Sequence, residues 1–99
     1  MIKLTSGIIE YGKLEFYLVG METYESFDLV IAELQQLKIS LLDKLDGIYW
    51  RTALFESRGK RFKMIFHEDV GIYGFSIGEG GNDDWLQRIL AAIVARINE

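Results

Sequence analysis

The chain of 99 residues contains no cysteine and no proline, and its only histidine is His67. Without cysteine it can form neither disulfide bonds nor thiolate metal sites, so nothing in it requires an oxidising compartment and a cytoplasmic location is expected. Without proline, strands and helices can run without interruption. No cofactor motif is present, and no cofactor is expected.

Long apolar runs are also missing. The longest, Ile89 to Ala95, is far shorter than the roughly 20 residues that a membrane-spanning helix needs. The first residues alternate in polarity and do not resemble a signal peptide. Eleven basic and fifteen acidic residues give a net charge of 11 − 15 = −4, which disfavours nucleic acid and anionic membranes as partners and favours a basic protein.

The composition is typical of a single α+β domain. Hydrophobic residues make up 49% of the chain and charged residues 26%, as in ordinary globular proteins, and the length suits one domain. Two alternating segments, Ile2 to Glu10 and Lys13 to Val19, predict a hairpin around Tyr11-Gly12. In the second segment Leu14, Phe16 and Leu18 should share one face, and Glu15, Tyr17 and Val19 the other.

Two further segments have helical spacing. Apolar residues at three- and four-residue steps predict one helix from Thr23 to Leu37, with Thr23 as its N-cap, and another from Asn82 to Asn98, with Asn82 as its cap. Residues 38–45 could continue the first helix or form a strand. The Asp-Gly pair at positions 46 and 47 favours the strand, because this pair is a strong hairpin signal.

The middle of the chain, Leu42 to Ile77, predicts an antiparallel β-meander. Its turn signals are Asp46-Gly47, Arg58 to Lys60, and Glu68 to Gly71. The predicted order of elements is therefore ββαββββα. Both helices should pack on the same face of one antiparallel sheet.

The lengths of the turns decide which side chains share a face of the sheet. With the last turn spanning the four residues Glu68 to Gly71, one apolar set falls on a single face. This predicted core face carries Ala53, Phe55, Phe62, Met64, Phe66, Tyr73, Phe75 and Ile77. The residues expected to be buried include Phe55, Phe62, Met64, Phe66, Phe75, Leu34, Ile89 and Ile93.

The opposite face of the sheet is mixed in polarity. It is predicted to carry Leu45, Ile48, Trp50, Thr52, Leu54, Glu56, Lys63, Ile65, His67, Ile72, Gly74 and Ser76. A sheet face left to water should be mostly polar, so these apolar residues need a cover. Either the N-terminal hairpin or a loop supplies it, or the face binds a partner around an aromatic anchor. The predicted binding residues are Trp50, Leu54, Ile65, His67 and Ile72.

Three segments could carry chemistry, and each also has an ordinary structural explanation. His67-Glu68-Asp69 could supply a general base or a metal ligand, but no nucleophile or second nitrogen ligand accompanies it and these residues also suit a turn. The segment Gly78 to Gly81 lacks the lysine and the spacing of a phosphate loop. The basic hairpin 51–63 could bind RNA, although its aromatic residues lie on the predicted core face. No catalytic residue and no metal site is predicted.

The runs DGIYWR at 46–51 and FKMIFHEDVGIY at 62–73, in a small acidic α+β frame, resemble the immunity proteins that bacteria encode beside polymorphic toxins. The resemblance covers the middle third of the chain. It implies a non-enzymatic protein that binds and neutralises one cognate toxin. Because such proteins vary in fold and in binding surface, the resemblance assigns no site residues.

These features predict a non-enzymatic protein-binding module whose partner is another protein or a second copy of the chain. Two alternatives stay open. A homodimeric small-ligand-binding or regulatory domain would have an apolar pocket between the sheet and the helices. An RNA-binding protein would use the basic hairpin 51–63.

Overall fold

The computed structural model describes residues 1–8, 13–78 and 82–99, and its elements follow the predicted order ββαββββα. They are β1 (Lys3–Ile8), β2 (Leu14–Val19), α1 (Tyr24–Gln36), β3 (Ser40–Asp46), β4 (Trp50–Ser57), β5 (Lys60–His67), β6 (Gly71–Ile77) and α2 (Asp83–Ile97). The predicted turn at Tyr11-Gly12 and the residues 79–81 lie outside the described residues. The α+β class is confirmed, and so is the strand predicted within residues 38–45.

In the described part of the chain, the six strands form one sheet in the order β1-β2-β6-β5-β4-β3. Each strand is antiparallel to its neighbours. β2 pairs with β6, with Tyr17 opposite Tyr73. The N-terminal hairpin therefore extends the sheet sideways, and it does not lie over either face.

The hydrophobic core lies between one face of this sheet and both helices. Its most deeply buried side chains are Phe16, Leu18, Phe27, Val30, Leu34, Phe55, Phe62, Met64, Ile72, Leu86, Leu90 and Ile93. Phe55 and Phe62 stack with their ring centroids 5.2 Å apart, and Trp85 of α2 meets Phe62 edge-on at 5.6 Å. Arg96 of α2 also pairs with Glu33 of α1, with an N···O distance of 2.5 Å. The helices are thus joined to each other as well as to the sheet.

Helix α1 has a capping structure at each end. The Thr23 hydroxyl accepts a hydrogen bond from the backbone N–H of Ser26 at 3.1 Å, which confirms the predicted N-cap. At the other end, Lys38 has a φ of 63°, and the N–H of Ile39 donates to the carbonyl of Leu34 at 3.2 Å. This bond belongs to a Schellman motif, which ends the helix and directs the chain into β3.

Helix α2 keeps its predicted apolar stripe. Leu86, Leu90 and Ile93 are buried, whereas Ile89, which was expected to be buried, is half-buried. Asn82 precedes the helix at the predicted N-cap position, but its side chain makes no capping hydrogen bond. The packing of the stripe, and not the cap, therefore fixes this helix.

The β4–β5 hairpin closes through Arg58 and Gly59, which have φ values of 53° and 78°. Positive φ at both central residues is typical of a type I′ turn, whose twist suits a two-residue hairpin. Phe55 lies opposite Phe62 as a result. The predicted faces of β4 and β5 are confirmed, with Ala53, Phe55, Phe62, Met64 and Phe66 all buried.

The loop between β5 and β6 is one residue shorter than predicted. His67 pairs with Gly71, so three residues connect the strands where the prediction assumed four. The N–H of Val70 donates to the carbonyl of His67 at 3.0 Å, and Gly71 has a φ of 97°. A tight turn followed by a left-handed residue is the usual form of a three-residue hairpin loop. The odd length reverses the two faces of β6.

This reversal moves side chains between the faces, and two predictions are wrong because of it. Ile72, predicted on the binding face, is only 2% exposed and lies in the core. Gly74 is also on the core side, opposite Met64, whose sulfur occupies the place that a Cβ of residue 74 would need. Tyr73, Phe75 and Ile77, predicted in the core, are half-buried on the opposite face.

The turn between β3 and β4 also differs from the prediction. The N–H of Gly47 donates to the carbonyl of Trp50 at 2.7 Å, so the chain reverses at Ile48 and Tyr49 and not at Asp46-Gly47. The indole of Trp50 lies over Gly47, where a Cβ would overlap it. A glycine is needed here for close packing rather than for the turn itself.

Candidate functional site

The face of the sheet opposite the two helices is called the open face. Two rows of paired residues cross it, and most of their members are aromatic or aliphatic. One row is Thr5, Tyr17, Tyr73, Ile65, Thr52 and Leu45, and the other is Phe75, Lys63, Leu54 and Asp43. Trp50 and His67 form a further pair beside the first row. The apolar side chains of these rows make a continuous strip.

No described element covers the open face. Both helices pack on the other face, and the N-terminal hairpin lies beside β6 within the sheet. Trp50 is 40% exposed, Leu45 is more exposed still, and the central residues Ile65 and Tyr73 are half-buried. A sheet face in contact with water is usually polar, so this strip is an exposed apolar surface that calls for an explanation.

Two tyrosines stand side by side in the strip. The Tyr17 hydroxyl donates to the Glu15 carboxylate at 2.8 Å, and the rings of Tyr17 and Tyr73 are 5.8 Å apart. The bond to Glu15, followed by burial and nearby charge, raises the pKa of Tyr17. Burial and then the charge of Glu15 raise the pKa of Tyr73. Both phenols therefore stay protonated at neutral pH and act as uncharged contact groups.

The charged side chains around the strip balance one another. Arg61 donates to Glu56 at 2.6 Å, and the Lys13 amine lies 4.2 Å from the centroid of the Phe75 ring. Among the described residues, this side of the sheet carries Lys3, Lys13, Arg61 and Lys63 against Glu15, Asp43 and Glu56. The open face is therefore close to neutral, although the chain as a whole has a net charge of −4.

The depression on the open face is small. A depression of about 160 Å³ lies between Leu45, Leu54 and Ile77, with Asp43 and Lys63 beside it. Small-molecule pockets usually exceed ~300 Å³, about twice this volume. The face therefore suits contact with a broad surface better than enclosure of a ligand.

Four of the five predicted binding residues lie on the open face, namely Trp50, Leu54, Ile65 and His67. The fifth, Ile72, is in the core. The Nδ1 atom of His67 accepts a hydrogen bond from the backbone N–H of Asp69 at 3.1 Å, which stabilises the β5–β6 loop. The sequence prediction missed Tyr17, Tyr73, Phe75 and Ile77 as members of this face. The signal that could have found three of them is Gly71, because a glycine at that place marks a three-residue loop.

Arg51 was grouped with the basic hairpin in the sequence, but it lies on the core side of the sheet and is 3% exposed. Its guanidinium bonds to Asp28 at 2.7 Å, to Asp46 at 2.9 Å and to the Tyr24 carbonyl at 3.0 Å. It also stacks on the Tyr24 ring, 4.2 Å from the centroid. Burial alone lowers the pKa of Arg51, but the hydrogen bonds and charges of the two aspartates outweigh it and raise that pKa. Arg51 thus joins β4 to α1 and β3.

A cavity of about 340 Å³ lies next to this arginine, and it is called the acidic cleft. It is formed where the start of α1, the β3–β4 turn and the end of β5 meet. The residues that line it are Glu22, Tyr24, Ile48, Tyr49, Phe66 and Glu68. The N–H of Glu68 donates to the carbonyl of Tyr49 at 2.9 Å, which holds two of its walls together.

The remaining candidate segments form no comparable site. In the described residues, no group of three His, Asp or Glu side chains is placed to hold a metal ion. Most of the glycine-rich segment, residues 79–81, lies outside the described part of the chain. The basic residues of the hairpin 51–63 do not share one surface, since Arg51 is buried, Lys60 lies 5.4 Å from the Trp85 ring and Arg61 pairs with Glu56.

Comparison with known proteins finds no relative: no protein-family model, no curated protein and no solved structure matches the chain. Because no relative supplies a function, what the chain binds must be inferred from its own surfaces. None of the helices in the described residues is long and apolar enough to cross a membrane.

Proposed function

We propose that this protein is a non-enzymatic binding module that holds another protein against the open face of its sheet. The observation that carries the proposal is the apolar strip that no described element covers, with Tyr17, Ile65, Tyr73 and Phe75 at its centre and Leu45 and Trp50 toward one edge. Aromatic residues are common at the centres of protein interfaces, because they bury a large apolar area at a small cost in conformational entropy. The charges of both signs around the strip resemble the polar rim of such an interface.

The size of the open face supports a modest interface. Six strands about 4.8 Å apart, each about six residues long at ~3.4 Å per residue, give a face on the order of 600 Å². A standard interface buries about 800 Å² on each partner, and transient complexes bury less. The open face with its rim is thus large enough for a specific contact that need not be permanent.

Two occupants fit this surface. The resemblance to immunity proteins makes a toxin the first partner to test, and the net charge of −4 favours a basic one. The other occupant is a second copy of the chain, since a nearly neutral face lets two acidic molecules meet without bringing like charges together. The neighbouring gene sets the order of the tests: a toxin gene beside this one favours immunity, and an enzyme operon favours a regulatory role.

The test compares alanine variants of three residues. Ile65 and Phe66 are neighbours in β5 that point to opposite faces of the sheet, and Trp50 is the aromatic residue toward the edge of the open face. Trp50→Ala and Ile65→Ala alter the open face, and Phe66→Ala is the matched control because Phe66 is buried in the core. We expect Trp50→Ala to weaken association by about 2 kcal/mol or more while it changes the free energy of unfolding little. Phe66→Ala should lower the free energy of unfolding by about 3–5 kcal/mol.

Association is measured by sedimentation equilibrium of the chain alone and by calorimetric titration with the product of a neighbouring toxin gene. Unfolding of each variant is followed in urea. If Trp50→Ala unfolds the protein as severely as Phe66→Ala, Trp50 belongs to the core and the proposal is wrong. If the open-face variants associate as tightly as the wild type in both assays, the face is not the binding surface.

The alternative functions have less support. A small-ligand domain would need an enclosed apolar pocket between the sheet and the helices, whereas one of the two cavities described above lies on the open face and the other, at the start of α1, is lined by two carboxylates. RNA binding would need exposed aromatic side chains on the basic hairpin 51–63, and the two aromatic residues of that hairpin, Phe55 and Phe62, are buried. An enzymatic role would gain support if His67→Ala abolished a cellular phenotype while stability and partner binding stayed intact.

A further inference from the structure

The acidic cleft has the shape of a site for one long side chain. Its volume of about 340 Å³ is near the lower limit of ligand pockets, ~300 Å³. Buried Phe66 lines it from the core side, and the exposed rings of Tyr24 and Tyr49 line it from α1 and from the β3–β4 turn. Ile48, which is almost fully exposed, completes the apolar part. No residue of the cleft belongs to the open face.

The cleft carries negative charge that the protein itself does not neutralise. Glu22 and Glu68 line it, and neither is within ion-pair distance of a described lysine or arginine. All eleven basic residues of the sequence are in the described part of the chain. Arg51, which stacks on Tyr24, is already held by Asp28 and Asp46. A second cation would therefore meet two unpaired carboxylates.

The walls of the cleft are fixed before any partner arrives. Arg51 donates to the Tyr24 carbonyl at 3.0 Å, and the Tyr24 ring meets Phe66 edge-on with the centroids 6.0 Å apart. The bond from Glu68 to the Tyr49 carbonyl holds the opposite wall. Little ordering is needed on binding, so less of the interaction energy is lost to entropy.

From these features we infer that the acidic cleft binds a lysine or arginine side chain of a basic protein segment. The carboxylates attract the cation, the exposed Tyr49 ring lines the cleft beside it, and the methylene groups of the stem pack on Ile48 and Phe66. The molecule already contains one such pair, the Arg51 guanidinium over the Tyr24 ring. An anion would be repelled, and a neutral apolar group would desolvate Glu22 and Glu68 without pairing them.

The experiment uses the full chain and short peptides. The probes are acetyl-Gly-Ser-Lys-Ser-Gly-amide, the same peptide with arginine, and a control in which uncharged norleucine replaces the lysine. We expect the two basic peptides to shift the amide NMR signals of Tyr24, Tyr49 and Glu68, with saturation at millimolar peptide concentrations. The affinity should fall as the salt concentration is raised. The norleucine peptide should leave the signals unchanged. Equal shifts with norleucine, or none with lysine, would overturn the inference. Ammonium ion that binds as tightly as the lysine peptide would also overturn it, because the site would then take a small cation without using the stem of the side chain.

Variants test the residues themselves. The double variant Glu22→Gln/Glu68→Gln removes the charge and keeps the shape, and should weaken binding of the lysine peptide by about fivefold or more. Tyr49→Ala should weaken it by about threefold. Glu25→Gln is the matched control, because Glu25 is an exposed carboxylate in the first turn of α1 that does not line the cleft. An unchanged affinity in the double variant, or an equal loss in Glu25→Gln, would refute the role of the cleft.

The open-face variant Ile65→Ala separates this inference from the proposed function. Ile65 lies on the open face and does not line the cleft, so Ile65→Ala should bind the lysine peptide as the wild type does. A loss of binding in Ile65→Ala would show that the peptide occupies the open face and would overturn the assignment to the cleft.

Discussion

Removing the two carboxylates around Arg51, singly and together, should show how a buried arginine is tolerated in this small domain. The guanidinium is 3% exposed, whereas the side chains of Asp28 and Asp46 are 58% and 45% exposed. In Asp28→Asn or Asp46→Asn, one carboxylate remains to balance the arginine. Each single variant should therefore lower the free energy of unfolding by about 1 kcal/mol.

The double variant Asp28→Asn/Asp46→Asn leaves a buried charge without a partner. Breaking a buried ion pair in this way costs about 3–5 kcal/mol, which exceeds the sum of the two single losses by about 1–3 kcal/mol. Arg51→Met should cost less than the double variant, because the two exposed aspartates that it leaves are hydrated and the methionine fills the space of the arginine stem. What Arg51→Met loses is the bond to the Tyr24 carbonyl and the stacking on its ring.

The assay is urea unfolding of the four variants at pH 7 with linear extrapolation to water. A thermal scan gives an independent check, since 1 kcal/mol should shift the Tm of a domain of this size by about 4–8 °C. Additive losses in the double variant would contradict the reasoning, because they would mean that the remaining carboxylate does not compensate Arg51. A larger loss in Arg51→Met than in the double variant would likewise show that packing, and not charge balance, dominates.

Three other predictions concern pH and the backbone. The hydrogen bond from Arg51, and then its charge, hold the pKa of Asp28 below its usual value. A small part of the free energy of unfolding should therefore be present above about pH 4 and be lost as the pH falls through the folded pKa. Urea unfolding from pH 7 to pH 2 should show a smaller loss of stability in acid for Arg51→Met than for the wild type, and an unchanged profile would contradict this. Gly74→Ala should lower the free energy of unfolding by about 1–3 kcal/mol, because the new Cβ would overlap the side chain of Met64 on the neighbouring strand. The control Gly7→Ala places its Cβ at an ordinary contact distance of 3.7 Å and should change the free energy of unfolding little. Lys38→Gly should raise the Tm, because a φ of 63° costs lysine about 1 kcal/mol that glycine does not incur; a lower Tm would show that the lysine side chain compensates.

The elements that could be predicted are those that local sequence determines. Helix α1 has its N-cap hydroxyl at Thr23 and apolar residues at helical spacing, and both signals depend only on near neighbours. The β4–β5 hairpin has Gly59 between two alternating segments, and either position of the turn gives the same faces. Long-range pairing adds nothing to these two decisions. They were correct for that reason.

The faces of β6 depend on a loop length that composition does not fix. Glu68 to Gly71 reads equally well as four turn residues or as three residues before a strand that begins with a left-handed glycine. The choice shifts every residue of β6 by one position, which places Ile72 in the core and Tyr73 on the open face. The loop length is decided by contacts between the strands, because the Met64 side chain needs a residue without a Cβ opposite it, and that residue is Gly74.

Arg51 could have been recognised from its position, but its charge concealed it. It alternates with Ala53 and Phe55 on the core side of β4, so the spacing alone would have placed its side chain inward. A buried arginine requires paired carboxylates, and these come from Asp28 on α1 and Asp46 on β3, which lie 23 and 5 positions away in the sequence. The pairing of Arg51 with Asp28 depends on how α1 packs on the sheet, and local sequence does not determine that packing.

The β3–β4 turn links the two surfaces through consecutive residues. Tyr49 lines the acidic cleft, and Trp50 lies opposite His67 at the end of the open face. Because the indole packs on Gly47 and the Tyr49 carbonyl is bonded to the N–H of Glu68, the turn holds both side chains in fixed relative positions. A basic segment in the cleft would thus lie beside any partner on the open face, and a single partner that reached both surfaces would gain from the high effective concentration of the second contact. The neutral open face would then supply contact area, and the acidic cleft would supply selectivity for charge.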